Sequence, residues 1–306
     1  MHPRPDRADA SIRRDNAPIT FSRTLIMTLL SPIQRFLMVA FLGALLVSHS
    51  FAAEPAPLKL GIMPFNSTLA LIRAHQPLAT HIEKSVGRKV QILGSTDYFT
   101  HVNQLLAGDF DLAITGPHFG VMATDKGYQA LVRYSADLRP SFVVRDDSTI
   151  KGAADLRGKR LGMPSRLAVI SSSGVKWLDE QGLRIHQDYR TVEYASHGAA
   201  IAAVVAGEVD VALSANTAWT QVPESVRIKT RLLPLDIRMP HLMTLAHSRL
   251  PKADIERVLQ ALRSYGETPA GLAFFRETGY QVYTTVTKAD LEKLRPFIDL
   301  TVKMMR

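Results

Sequence analysis

A fourteen-residue segment of this chain occurs twice without a gap, and this repeat constrains the fold most. Residues Val102–Thr115 match residues Ile201–Ser214 at an offset of 99 positions. Each copy has an apolar helix pattern, a glycine, an acidic residue, an apolar strand pattern and a final hydroxyl. Since repeated sequence units indicate repeated structural units, we expect two similarly built lobes.

The rest of the chain from about Ala53 alternates short apolar runs with amphipathic segments, which indicates an α/β fold with parallel strands. We predict strands at 58–63, 89–93, 111–114, 131–134, 142–144, 160–163, 191–194, 209–213, 228–233 and 242–246. We predict a first helix that Asn66 and Ser67 cap and Gly87 ends, and further helices at 98–107, 167–180, 198–206, 253–265, 269–277 and 288–305.

The segment before this alternation has the features of an export signal. Arg35 precedes an apolar run from Phe36 to Val47, and Ser50 and Ala52 stand at the −3 and −1 positions of a cut after Ala52. The run is too short for a membrane span, which needs about 20 residues. We expect residues 1–52 to be a leader, with Met27 as an alternative start, and the protein to be periplasmic.

Composition excludes several classes of site. The chain has no cysteine, so disulfides and thiolate chemistry are ruled out. Its formal net charge of +9 comes from scattered residues, which gives no support to nucleic-acid binding. There is no HExxH, P-loop, GxGxxG or GxSxG motif. We therefore expect no enzyme, no metal and no cofactor.

The repeat also locates a candidate site. Ligands of open parallel α/β sheets bind beyond the carboxyl ends of the strands. Thr115 and Ser214 stand at those ends, one in each copy of the repeat. The same offset pairs Tyr98 with His197, each near the start of a helix, where free N–H groups favour an anion. We expect these four side chains around one cleft, although His197 could also be an ordinary surface histidine.

Three further segments are candidates, each with a structural alternative. Phe65 and Thr68 flank a segment that could supply amides or only cap a helix. His118 follows a Gly-Pro pair that could line the cleft or only shape a turn. Ser171 and Ser172 could cradle an oxyanion or lie on a polar helix face. If that helix begins earlier, Ser165 caps it and becomes the ligand contact.

These residues occur in an order that resembles the phosphate/phosphite/phosphonate-type solute-binding proteins of ABC transporters, over residues 58 to about 298. The matching segments are Leu60–Pro64, Asp97-Tyr98, Gly108–Ala113, Gly116-Pro117, Asp155–Lys159, Ser196-His197, Gly207–Asp210 and Gly266–Gly271, with Gly279. The chain departs from the family pattern at Met163–Ile170, which precedes Ser171. It also has Phe119 where an aromatic hydroxyl is common.

The resemblance implies a two-lobe periplasmic binding protein clamp, type II-like, with a hinge of two crossovers. Lobe one would comprise residues 54–139 and 241–306, and lobe two residues 140–240. The protein would capture a small phosphonate, phosphite or phosphate oxyanion and deliver it, as a monomer, to ABC permease subunits. The alternative is a sensory protein of the same fold that reports an oxyanion to a membrane histidine kinase.

Overall fold

The computed structural model describes residues 55–305, which form two β-sheets with helices packed against them. The predicted leader lies outside the described residues. The six-stranded sheet contains β1 (Leu58–Ile62), β2 (Val90–Gly94), β3 (Leu112–Thr115), β4 (Tyr128–Tyr134), β10 (Met243–His247) and β11 (Tyr283–Thr284). The five-stranded sheet contains β5 (Pro140–Arg145), β6 (Arg160–Met163), β7 (Arg190–Glu193), β8 (Val211–Ala215) and β9 (Thr230–Pro234).

The helices lie between these strands in chain order, except the last, which follows β11. They are α1 (Thr68–Val86), α2 (Tyr98–Ala107), α3 (Pro117–Thr124), α4 (Val169–Glu180), α5 (His197–Ala206), α6 (Asn216–Thr220), α7 (Glu224–Arg227), α8 (Lys252–Tyr265), α9 (Pro269–Thr278) and α10 (Lys288–Met305). A short 3-10 helix spans Ala153–Leu156. No helix among residues 55–305 is long and apolar enough to cross a membrane.

Each sheet has a parallel half that carries one copy of the repeat. Strands β2, β1 and β3 pair in parallel, and so do β7, β6 and β8. The sequence predicted parallel strands, and this is wrong for the remainder of both sheets. In the first sheet the pairs β3–β10, β10–β4 and β4–β11 are antiparallel, and in the second sheet the pairs β8–β5 and β5–β9 are antiparallel.

The two lobes are joined by two crossings. The chain passes from the first sheet to the second between β4 and β5, and it returns between β9 and β10. The crossings pair through an antiparallel bridge between Leu138 and Met239, with both backbone N–H···O bonds formed at 2.9 and 3.0 Å. We propose that the lobe boundaries lie here, with residues 54–139 and 241–306 in one lobe and residues 140–240 in the other.

The repeated acidic residues stabilise equivalent strand starts. The Asp111 carboxylate accepts a hydrogen bond from the Lys59 backbone N–H at 2.8 Å, and Asp210 accepts one from the Arg160 backbone N–H at 2.7 Å. An arginine pairs with each carboxylate, Arg249 with Asp111 and Arg160 with Asp210. These contacts lie at the strand edge opposite Thr115 and Ser214, as the sequence predicted, so the acids are structural.

Candidate functional site

A small cavity lies where the two lobes meet. Its volume is about 40 Å³, which is room for a solute of few atoms. The lining residues come from both sheets' loops and from both crossings. They are Met63, Phe65, Tyr98, Gly116, Pro117, His118, Leu138, Ala168, Val169, Ile170, His197, Ala215, Thr217, Ala218, His241, Leu242 and Tyr280.

The amino terminus of α4 borders this cavity without a side-chain cap. Its N-cap residue is Ala168, which has no side chain able to accept a hydrogen bond. The first intrahelical bond runs from the Ser172 N–H to the Ala168 carbonyl at 3.1 Å. The N–H groups of Val169, Ile170 and Ser171 therefore have no partner among the described residues. Free amides and the helix dipole together favour an anion at this position.

The amino terminus of α3 borders the same cavity from the other lobe. Gly116 is its N-cap and Pro117 its first residue, so neither supplies a capping side chain. The Gly120 N–H closes the first turn onto the Gly116 carbonyl at 2.9 Å, which leaves the N–H groups of His118 and Phe119 free. Two uncapped helix termini, one from each lobe, thus contribute positive partial charge to the cavity.

Several hydrogen bonds cross between the lobes around the cavity. His118 of α3 donates through Nε2 to the Leu167 carbonyl at 2.9 Å. On the other side, the Thr220 hydroxyl and the Gln221 amide both donate to the Thr278 carbonyl, at 3.3 and 3.2 Å. The cavity therefore lies beside direct contacts between the lobes. Any ligand in it touches both lobes.

His118 and His197 line the cavity as neutral rings. Burial lowers the pKa of each imidazole from 6.5 to about 4, since the charged form would lose its hydration. The Leu167 carbonyl fixes the His118 proton on Nε2, so its buried Nδ1 is an acceptor without a partner among the described residues. His197 bonds the Ser214 hydroxyl through Nδ1 at 3.1 Å.

Thr217 presents a hydroxyl whose orientation is set by its neighbour. The Leu242 N–H donates to His241 Nδ1 at 2.8 Å, so the ring proton of His241 is on Nε2. That proton points to the Thr217 hydroxyl oxygen, 3.0 Å away. The Thr217 hydroxyl hydrogen is then free to donate into the cavity. Burial, together with the charge of Arg133, lowers the pKa of His241 to about 3, which keeps this arrangement neutral.

Tyr98 contributes a second free hydroxyl. The side chain is only 2% exposed, and its hydroxyl has no hydrogen-bond partner among the described residues. Burial raises the pKa of Tyr98 well above its usual value, so the group is a donor at neutral pH. A buried hydroxyl without a partner costs free energy unless a ligand or water completes it. The Tyr98 hydroxyl is therefore available as a donor to a polar ligand in the cavity.

The structure brings together some of the predicted site residues and leaves others outside the lining. Phe65, Tyr98, His118 and His197 line the cavity, and Ser214 lies behind His197. Thr115 is fully buried and bonds His101 Nε2 at 3.0 Å. Thr68 is exposed at the start of α1, and Ser165 accepts from the Leu167 N–H in a turn before α4.

The serine hydroxyls of α4 donate hydrogen bonds to nearby backbone carbonyls. Ser171 donates to the Pro164 carbonyl and Ser172 to the Val169 carbonyl, both at 3.2 Å. Both side chains border a different groove, between α4 and α10. Because α4 begins at Val169, its contribution to the cavity is the backbone amides at its start. The hydroxyls of Ser171 and Ser172 are absent from the lining.

The two helix termini favoured by the sequence are already capped. Asp97 caps α2 by accepting from the Thr100 N–H at 2.8 Å, and Ser196 caps α5 by accepting from the Ala199 N–H at 3.2 Å. The uncapped termini at the cavity include those of α3 and α4, and the Ala215 N-cap of the short helix α6 also lacks a side-chain cap. Sequence reasoning also missed Thr217 in α6, His241 at the end of the second crossing and Tyr280 in the loop after α9, all outside the repeat. For His241 and Tyr280 the only signal was a polar side chain beside Pro240 or Gly279, and Thr217 had no such signal.

The polar groups that line the cavity are uncharged. None of the lining residues in the described chain is lysine, arginine, aspartate or glutamate. Residues 55–305 contain no group of His, Asp and Glu side chains arranged to hold a metal ion. Helix-terminal amides, neutral rings and hydroxyls can dehydrate and hold an oxyanion by hydrogen bonding, while the apolar lining suits a small apolar substituent.

Known proteins share both this fold and its sequence pattern. Residues 60–291 match the family described as ABC transporter, phosphonate, periplasmic substrate-binding protein. A phosphate-import protein, PhnD, of Mycolicibacterium smegmatis is 27% identical over 117 residues, which is 35% of this chain and 36% of that relative. The match thus spans about a third of the relative's length.

Two solved structures are similar throughout the described residues. PhnD1 of Prochlorococcus marinus, in complex with methylphosphonate, has a TM-score of 0.72 at 15% identity, covering 81% of this chain and 99% of that one. The binding protein component of an ABC phosphonate transporter from Pseudomonas aeruginosa has a TM-score of 0.67 at 16% identity, covering 82% and 89%. At such low identities, the structural similarity establishes only the two-lobe α/β fold. With the family match over most of its length, the chain belongs to the periplasmic substrate-binding proteins of phosphonate ABC transporters.

Proposed function

We propose that this protein binds a small phosphorus oxyanion between its lobes and delivers it to an ABC permease. The observation that carries this proposal is the pair of uncapped helix termini, α3 and α4, at one interlobe cavity. Together with the free hydroxyls of Tyr98 and Thr217, they offer donors from both lobes to one anion. Contacts from both lobes favour the closed state, which a membrane partner can recognise.

The size of the cavity and the absence of charged side chains from its lining restrict which phosphorus oxyanions can bind. A small cavity with apolar walls favours a compact ligand, such as a phosphonate with a methyl group or phosphite with hydrogen in its place. An aminoalkyl phosphonate carries an ammonium group, and no carboxylate among the lining residues is available to pair with it. Burying an unpaired ammonium is costly. We therefore propose that methylphosphonate and phosphite bind more tightly than aminoethylphosphonate.

Thermal melting with a panel of anions tests this proposal. A ligand that binds only the folded protein raises the melting midpoint in a concentration-dependent way. We expect a shift with methylphosphonate or phosphite, and a much smaller one with aminoethylphosphonate or sulfate. The shift should be lost in His197→Ala and retained in Ser173→Ala, whose hydroxyl bonds only the Ile170 carbonyl of its own helix. If none of the phosphorus oxyanions shifts the melting midpoint, the proposed ligand class is contradicted.

Delivery to an importer needs a separate experiment. The transport proposal predicts genes for a permease and an ATPase nearby, and uptake of labelled methylphosphonate that stops when this protein is deleted. Uptake that continues unchanged without the protein would contradict its role in transport. The family match supports transport. No observation on the described residues favours the sensor-kinase alternative.

A further inference from the structure

Two larger pockets adjoin the inner cavity described above. The first outer pocket, of about 260 Å³, is bordered by α1, by the loop after α6 and by the end of α9. The second outer pocket, of about 310 Å³, is bordered by the start of α5 and by residues 221–226. Phe65 is the one residue that lines the inner cavity and both outer pockets. Its ring therefore stands at the junction of all three spaces.

The position of Phe65 is fixed by its surroundings. The ring is 7% exposed and meets the rings of His75 and Tyr280 edge-on, at centroid distances of 6.3 and 6.4 Å. Its backbone N–H donates to the Met63 carbonyl at 2.9 Å, and Pro64 between them restricts the loop further. Edge-on aromatic contacts of this kind are favourable beyond simple burial. The Phe65 ring is thus held in place between the inner cavity and the outer pockets.

The volumes on the two sides of this wall differ greatly. The inner cavity has about 40 Å³, whereas each outer pocket has several times more. A ligand with its oxyanion at the termini of α3 and α4 can extend only as far as the Phe65 ring allows. We propose that Phe65 is a specificity-determining residue, which restricts the ligand to a substituent of about methyl size by closing the inner cavity from the outer pockets. This inference rests on the proposed function.

Replacing Phe65 by alanine should join the three spaces and admit longer ligands. Calorimetric titration of the purified protein with methyl-, ethyl-, butyl- and hexylphosphonate measures this. We expect wild-type affinity to fall steeply after methyl or ethyl. Phe65→Ala should bind butylphosphonate at least tenfold more tightly than wild type, with a modest loss for methylphosphonate. Phe65→Leu, which keeps part of the wall, should give intermediate affinities and also serves if the alanine variant folds poorly.

Leu242→Ala is the matched control, because Leu242 lines the inner cavity alone. It enlarges that cavity without opening it, so it should gain no affinity for hexylphosphonate. Two outcomes would overturn the inference: wild type binding hexyl- and methylphosphonate equally, or Phe65→Ala weakening every ligand in parallel.

Wild-type binding of methylphosphonate tests the proposed function independently of the chain-length comparison. If wild type binds alkanesulfonates instead of phosphonates, the proposed phosphorus ligand is wrong. The role of Phe65 can then be tested with alkanesulfonates of the same chain lengths. If wild type binds neither series, both proposals fail.

Discussion

A substitution at Tyr98 can change ligand affinity without lowering the free energy of unfolding. Its hydroxyl is buried and lacks a partner among the described residues, so removing it breaks no hydrogen bond within the protein. We expect Tyr98→Phe to leave the free energy of unfolding unchanged or slightly higher. The same change should weaken ligand binding about tenfold, the worth of one hydrogen bond to a charged acceptor. Urea unfolding and calorimetric titration of the same preparation measure both quantities, and unchanged affinity would contradict a role for Tyr98.

At the scale of elements, the repeat predicts two equivalent structural carboxylates. Asp111 and Asp210 each bind the backbone N–H of a neighbouring strand and one arginine. We expect Asp210→Ala to lower the free energy of unfolding by ~1–3 kcal/mol, because those donors lose a charged acceptor. Asp111→Ala should have a similar effect in the other lobe. Ligand affinity of the folded variants should not change, since both acids lie at the strand edge away from the cavity; an affinity loss without a stability loss would contradict this assignment.

The sequence predicted helices and strands better than it predicted the site, because the signals for helices and strands lie within short segments of the chain. Helix ends such as Gly87 and Gly207 adopt a left-handed conformation, with φ of 71° and 75°, which glycine signals by itself. The helix Tyr98–Ala107 and the strand Arg160–Met163 are confirmed at their predicted bounds. Thr217, His241 and the free amides of α4 become neighbours only when the lobes meet. No spacing along the chain encodes that contact.

At the scale of the whole molecule, buried neutral histidines make stability depend on pH. Burial lowers the pKa of His75, His118 and His197 to about 4, and of His101 and His241 to about 3. The unfolded chain, with histidine pKa near 6.5, binds more protons than the folded one between these values. This part of the stability is present above pH 6.5 and is lost as pH falls toward 4.

We therefore expect the free energy of unfolding to decrease between pH 7 and pH 5, by up to ~2 kcal/mol for each such histidine. Urea unfolding at a series of pH values measures this decrease. Replacing His75 by leucine should flatten the profile, because one depressed pKa is removed. A profile that is level from pH 7 to pH 5 would contradict the neutral, buried state of these rings.

A crystal structure of the protein with methylphosphonate would show directly whether the anion binds at the termini of α3 and α4. We expect the phosphorus atom in the inner cavity, with its oxygens within hydrogen-bond distance of the Val169 and Ile170 amides and of the Tyr98 and Thr217 hydroxyls. We also expect the methyl group on the apolar lining. A ligand bound elsewhere, or an oxyanion held by lysine or arginine side chains with the α3 and α4 termini left free, would contradict this expectation.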